Sequence, residues 1–282
     1  MAKILIAGCG DVGSRLATQL AQQGHEVIGL RRSPFVLPGV TALQGDLTQP
    51  DSLNVPDNLD IVVVLLSPDG HDVDAYRRTY YNGTQHLLQA LRGQQLKHLF
   101  WVSSTSVYGQ DDGSMVDEHS AAEPTSATAQ VLLTSEALAQ TASWPTTVVR
   151  CSGLYGPGRL RLLRWVEEGR AVQVDPPSWT NRLHVDDAAG ILTLVIVRSL
   201  AGMTVQDLYI ATDPAPAPQH EVLDWIADTM KVSRVSHEAR QGGRSNKRLS
   251  SVRLARLGYV WQYPDFRSGY RSVISSWNAR GS

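Results

Sequence analysis

The sequence predicts an α/β fold: a doubly wound parallel sheet with helices on both faces, and a smaller region towards the C-terminus. Three observations carry this. Short apolar runs such as KILIAG (3–8) and DIVVVLLS (60–67) are hydrophobic without alternation, as strands buried on both faces must be. Longer stretches of helical period lie between such runs. The alternation stops after Gly153, where a turn-rich, proline-bearing sequence begins.

The elements follow in order. Strand 3–8 leads into a helix over 14–24, with Leu16, Leu20 and Ala21 repeating at helical spacing and Gly24 as its stop. HEVIGL (25–30) is a second strand, VTAL (40–43) a short third, and 60–67 a strong central one. A long helix is expected over 72–93, then strand HLFWVSS (98–104), a helix over 125–142, and strand TTVVRCS (146–152). Beyond Gly153, YGPGR (155–159) reads as a turn, 160–169 as a helix and 175–184 as a polar loop. Asp186 and Asp187 can cap a helix over 187–199. DLYIAT (207–212) reads as one more strand, and 219–231 as a helix.

Composition bounds the function. With 42% hydrophobic residues in 282, the chain can bury a core. A net charge of −1 argues against bulk attraction to nucleic acid or an anionic membrane. No apolar run reaches the roughly 18 residues of a membrane span. MAKILIAG at the start reads as a first strand, not a signal peptide. Cys9 and Cys151 match no metal spacing and read as free buried thiols. The expectation is a cytoplasmic protein with no metal, no membrane and no nucleic-acid partner.

The most informative stretch is IAGCGDVGSRLA (6–17), which holds Gly8-x-Gly10-x-x-Gly13 between the first strand and the first helix. In that context the pattern is specific for a Rossmann-type dinucleotide site. Gly8 permits the tight turn, Gly10 lets the backbone approach a pyrophosphate, and Gly13 lets helix and strand pack closely. Asp11 and Val12 complete the loop, and the free N–H groups of the helix start face the phosphates. A carboxylate after the second strand would favour NAD, by binding the ribose 2′-hydroxyl. The sequence there is GLRRSP, with Arg31, Arg32 and Ser33 and no acid. Two guanidiniums and a hydroxyl suit a 2′-phosphate, so the expected cofactor is NADP. Residues 1–153 then form an NADP-binding domain, with strand and helix contributions from about 184–212. Residues 154–183 and 213–282 form a smaller substrate-binding region.

These and further motifs resemble an extended or atypical short-chain dehydrogenase/reductase of the NAD(P)-dependent epimerase/dehydratase family. They are GDL (45–47), NGT (82–84), FWVSSTSVYG (100–109), VVRCSGLYGPGR (148–159), RLHVDDAA (182–189) and SNKRLSSVRLARLGYVWQYPDFRSG (245–269). The resemblance implies that Asp46 and Leu47 lie at the adenine. It implies that Ser104 is the serine that polarises a substrate oxygen. It also implies a homodimer, formed through the helices at 72–93 and 125–142. Family members add a Tyr that exchanges a proton and a Lys four residues later that lowers its pKa. Here those positions fall on Thr128 and Leu132. The only lysines are Lys3, Lys97, Lys231 and Lys247, and none has a Tyr four residues before it. Gly153 replaces an Asn that related nucleotide-sugar enzymes use on the substrate phosphate.

Other groups could supply the proton. Tyr108, four residues after Ser104, is the candidate phenol beside Ser104. Tyr80 takes the place of the family's catalytic Asn, and packing is the alternative for it and Tyr81. His184 can act as acid or base, or orient Asp186 by a hydrogen bond. Asp69, His71 and Asp72 follow the central strand, where they line a pocket or form a solvated loop. Arg240, Arg244, Lys247, Arg248, Arg253 and Arg256 form a basic stretch that suits an anionic substrate or serves as surface charge. Two functions fit. One is an NADP-dependent oxidoreductase of epimerase, dehydratase or reductase type, acting on a small carbonyl or hydroxyl compound such as a sugar nucleotide. The other is a non-catalytic NADP-binding sensor or interaction protein.

Overall fold

The computed structural model describes residues 1–239 and 246–279. The chain divides into two compact units. The first takes Met1–Val107, Ala122–Arg150 and Ala189–Tyr209; the second takes Tyr108–Ala121, Cys151–Ala188 and Ile210–Ser282.

The sheet begins with β1 (Lys3–Ala7), β2 (Glu26–Arg31), β3 (Val40–Gln44), β4 (Ile61–Val64) and β5 (His98–Ser104). Strands Thr146–Cys151 and Leu208–Ala211 complete seven. Their order across the sheet is β3, β2, β1, β4, β5, then 146–151, then 208–211. β1 pairs in parallel with both β2 and β4, β2 with β3, and β4 with β5. The chain therefore starts in the middle, winds outward to β3, and returns to β4 to wind the other way. Right-handed crossovers in opposite directions put the connecting helices on opposite faces. They also leave a crevice at the carboxyl ends of β1 and β4, where such sheets bind ligands.

The strand core is apolar because both faces are covered. Ile4–Ala7 and Ile61–Val64 are buried without exception. Helix α1 (Asp11–Gln22) buries Val12, Gly13, Leu16, Ala17 and Leu20. β4 ends at Val64, earlier than its apolar run suggests, because Leu65, Leu66 and Ser67 turn to line a cavity. The single helix expected over 72–93 is instead α2 (Val73–Tyr76), a π-helical segment Arg77–Asn82, and α3 (Gly83–Ala90). The wider turn sets Thr79 in the cavity wall and the Tyr80 hydroxyl 3.3 Å from the carbonyl of Leu66. Such segments recur at functional sites. Asp72 is the N-cap of α2, accepting from the Ala75 N–H at 2.8 Å.

Helix α4 (Ala127–Gln140) is capped by Ser126, whose hydroxyl accepts from the Ala129 N–H. It is tied to the sheet by a buried ion pair. The Arg150 guanidinium holds both oxygens of Glu136, with Nη2 2.6 Å from Oε2, and the Ser103 hydroxyl also donates to Glu136. His98 lies buried between Thr147 and Ser199, and burial pushes its pKa down to about 4.

The second unit is built from helices and short strand pairs. Helices α5 (Arg161–Glu167), α7 (Gln219–Met230) and α9 (Phe266–Asn278) share a core of Leu162, Leu163, Val222, Ile226, Phe266 and Ile274. Asp265 and Ser268 close a capping box at the start of α9. Helix α6 (Val185–Leu200) opens with Asp186 and Asp187, expected as its caps. Asp187 does something else: its carboxylate accepts from the Tyr259 hydroxyl and from the N–H groups of Gln262 and Tyr263. It pins the loop that follows α8 (Val252–Arg256).

Candidate functional site

The crevice at the end of β1 holds a cavity of about 480 Å³. Four stretches of the first unit build it. The glycine loop supplies Gly8, Gly10, Asp11 and Ser14. The end of β2 supplies Leu30, Arg31, Arg32 and Ser33. Gly45–Thr48 contribute Asp46 and Leu47, and Leu65–Ser67 with Thr79 close the far wall. Val12 and Gly13 do not line it; they are buried beneath, between α1 and the sheet.

The loop needs its glycines for identifiable reasons. Gly8 has φ +101°, and a Cβ there would stand 2.0 Å from the Leu65 carbonyl oxygen. A Cβ on Gly13 would stand 2.6 Å from the Gly8 carbonyl oxygen. A Cβ on Gly10 would meet nothing within 4 Å, so that backbone faces open space. Two glycines fold the loop and the third keeps it accessible, which fits a pyrophosphate laid along backbone N–H groups. The cavity suits the ligand that its motif predicts.

The β2 end differs from its sequence in one respect. GLRRSP carries no acid, yet Arg32 has one: its guanidinium grips the Asp69 carboxylate through both Nη atoms, with Nη2 2.6 Å from Oδ1. The bond raises the pKa of Arg32 and lowers that of Asp69. Arg31 lies over the ring of Phe35, 5.2 Å from its centroid. Asp46 accepts from the Thr48 N–H and hydroxyl, both at 2.9 Å, which fixes the carboxylate at the cavity edge.

Ser104 ends β5, half-buried, and its Oγ accepts from the Ser106 N–H at 3.2 Å. On α4, Thr128 is half-buried and Leu132 buried. Helix α4 packs against α2 and the π segment, where Tyr80 stacks at an angle between Tyr76 and Trp101.

In the second unit Tyr108 is fully buried. The Lys247 ammonium donates to the Tyr108 carbonyl at 2.5 Å. Lys247 is itself buried, which pushes its pKa down to about 8. The sequence placed this residue in a basic stretch that suits an anionic substrate or serves as surface charge; nothing in its neighbours marks it as buried. Two arginines of the stretch are also engaged. Arg248 donates to the Gly113 carbonyl and lies over Trp179, and Arg253 pairs with Glu118 at 3.6 Å. Arg240 and Arg244 lie outside the described residues. His184 is buried, and its Nδ1 accepts from the Asp186 N–H at 3.2 Å. Cys9 and Cys151 are both free and buried. Among the described residues no helix is long and apolar enough to cross a membrane, and no group of acids, His and Cys could hold a metal.

Comparison with known proteins adds a lineage. Residues 4–210 match the model of the NAD dependent epimerase/dehydratase family. Protein YeeZ of Escherichia coli (strain K12) is 25% identical over 285 residues, covering 94% of this chain and 97% of its own. The 2-alkyl-3-oxoalkanoate reductase of Stenotrophomonas maltophilia (strain K279a) is 25% identical over 256 residues, covering 83% and 77%. A solved structure from Methylobacillus flagellatus, provisionally assigned as an NAD-dependent epimerase/dehydratase, is 38% identical with a TM-score of 0.83, over 98% of this chain and 99% of that one. The structure of MoeE5 in complex with UDP-glucose and NAD is 25% identical with a TM-score of 0.79, covering 99% of each chain.

Proposed function

The chain belongs to the NAD dependent epimerase/dehydratase family, and from that premise we propose that it is an NADP(H)-dependent enzyme acting on a carbonyl or hydroxyl of a small anionic molecule. The observation that carries the cofactor reading is the cavity wall at the end of β2, where Arg31, Arg32 and Ser33 stand together. Planar guanidinium forks pair with phosphate, and a hydroxyl adds a further donor. The substrate reading draws on the relatives: one acts on a 3-oxoalkanoate by its name, and one binds UDP-glucose. Both compounds carry anionic groups.

When bound, the nicotinamide would supply or accept a hydride. The residues of this chain do the rest. Gly8 and Gly10 would hold the pyrophosphate, and Asp46 and Leu47 would border the adenine. Ser104 donates a hydrogen bond to the substrate oxygen and stabilises charge that develops there. Thr128 and Leu132 cannot exchange a proton at neutral pH, since an alcohol is far too weak an acid and Leu has none to give. The complete burial of Tyr108 favours packing for its ring, and solvent water is the proposed source of the proton. Such an enzyme relies on positioning more than on acid/base power, and it is slow for its family.

The test has two arms. Dissociation constants for NADPH and NADH are compared in the native protein and in Arg31→Gln. NADPH binding that is tighter, and weakened by the substitution about tenfold, supports the cofactor assignment; equal affinities end it. Product formation is then followed over a panel of sugar nucleotides, keto acids and aldehydes. Turnover abolished by Ser104→Ala supports the reaction class. Tight NADPH binding with no product from any of them would identify a binding protein.

A further inference from the structure

The bond between Arg32 and Asp69 has a topological meaning. β2 and β4 are the two neighbours of β1 in the sheet. Their carboxyl ends therefore stand two strand spacings apart, about 10 Å. Arg32 lies in the loop after β2 and Asp69 in the loop after β4, and their side chains meet. The pair spans the end of β1, where the glycine loop begins. Arg32 is part of the cavity wall, and so are Leu65, Leu66 and Ser67, the residues that lead to Asp69.

The chemistry of the pair bears on the cofactor. Both Nη atoms of Arg32 are committed to the two oxygens of one carboxylate. That edge of a guanidinium fork holds one planar or tetrahedral anion at a time. A 2′-phosphate entering beside Arg31 and Ser33 competes with Asp69 for that edge of Arg32. A 2′-hydroxyl does not: it leaves the ion pair standing and can itself donate to the carboxylate. The second strand brings no acid of its own to this place, so the loop after β4 provides one from 37 residues away. The pair is exposed, with side-chain accessibilities of 51% and 70%. Exposed ion pairs are weak, so a phosphate can displace this one.

We propose that Asp69 is a cofactor-selecting residue, which holds Arg32 across the cavity and sets how strongly the site prefers a 2′-phosphate over a 2′-hydroxyl. The proposal rests on the reading of the cavity as a dinucleotide site and deepens it. Asp69 lowers the affinity for NADP(H), supports NAD(H), and brings the two closer together than the arginines alone would.

The experiment uses binding, so it does not depend on a substrate. Calorimetric dissociation constants are measured for NADPH, NADH, adenosine 2′,5′-bisphosphate and 5′-AMP. The proteins are the native chain, Asp69→Asn, Arg32→Gln and the double variant. Asn keeps the size of the side chain at an exposed position, and thermal melting confirms that each variant is folded. Asp69→Asn should tighten NADPH and adenosine 2′,5′-bisphosphate about fivefold, the most that an exposed pair of this kind withholds. NADH and 5′-AMP should stay unchanged or weaken. In the Arg32→Gln background the gain should vanish, because Asp69 then has no fork to hold. An unchanged NADPH/NADH ratio in Asp69→Asn, or a gain that persists without Arg32, overturns the proposal. Failure of the NADP preference itself looks different. The native chain would then bind NADH as tightly as NADPH, and Asp69→Asn would still move the ratio if Asp69 is the selector.

Discussion

The glycine loop and helix α4 lie in the same unit and have kept different things. The loop has the backbone its glycines require: a left-handed Gly8 against the Leu65 carbonyl, a Gly13 against Gly8, and an open Gly10. Helix α4 has its cap at Ser126 and its buried anchor at Glu136, and it carries Thr128 and Leu132 where the sequence resemblance leads one to expect a Tyr and a Lys. The difference teaches that a helix can hold its place with almost no ionisable side chain, whereas a tight loop depends on Gly8 and Gly13. Packing asks only that Leu132 be apolar and Glu136 be paired; the loop has no such latitude, because a Cβ at Gly8 or Gly13 would run into backbone.

The largest effect should come from α4's anchor. Glu136 and Arg150 are both nearly inaccessible, with side-chain exposures of 4% and 8%. Removing one partner strands a buried charge, so Glu136→Ala should cost about 4 kcal/mol of folding stability. Urea denaturation measures this. A loss under about 1 kcal/mol would mean that α4 is held by its apolar face alone.

A smaller effect is expected at the loop. Gly8→Ala meets strain at positive φ and a clash with backbone that cannot rotate away. Together these should cost about 3 kcal/mol. The same change should also reduce dinucleotide affinity by at least tenfold, which Glu136→Ala should not do in its folded fraction. If both variants lost stability and affinity in the same proportion, the division between a packing helix and a ligand loop would be wrong.

These contrasts mark what was legible in the sequence. The sheet could be read because strands buried on both faces need continuous apolar runs, and KILIAG and DIVVVLLS have no polar side to hide. The loop could be read because its glycines stand at fixed spacing, two of them answering to separate steric demands and the third leaving the backbone open. The Asp69 pairing could not, since an ion pair between the loops after β2 and β4 follows from strand order, and strand order is not a local property. The π segment was hidden for a related reason: residues 72–93 have helical period throughout, and a turn one residue wider leaves that period almost intact. Asp187 looked like a cap because it stands at a helix start, but its three donors come from residues 259, 262 and 263.

Lys247 offers the subtlest measurement of the comparison, because it is a buried lysine in a protein whose α4 has none. Its ammonium faces the Tyr108 carbonyl, and burial lowers its pKa to about 8. In the unfolded chain a lysine titrates near 10.4. Below pH 8 both states hold the proton, and the cost of burying the charge is constant. Between about 8 and 10.4 the unfolded chain keeps a proton that the folded chain has released, so stability rises with pH across that window. Lys247→Met removes the titration and nearly preserves the volume. The stability of the native chain relative to this variant should therefore climb by about 2 kcal/mol between pH 7.5 and 10. Paired urea titrations at each pH would show it. A flat difference would mean that Lys247 stays charged in the folded protein, with its carbonyl bond compensating for burial. A rising one would show that the protein carries an amine able to gain and lose a proton near neutral pH, far in sequence from helix α4.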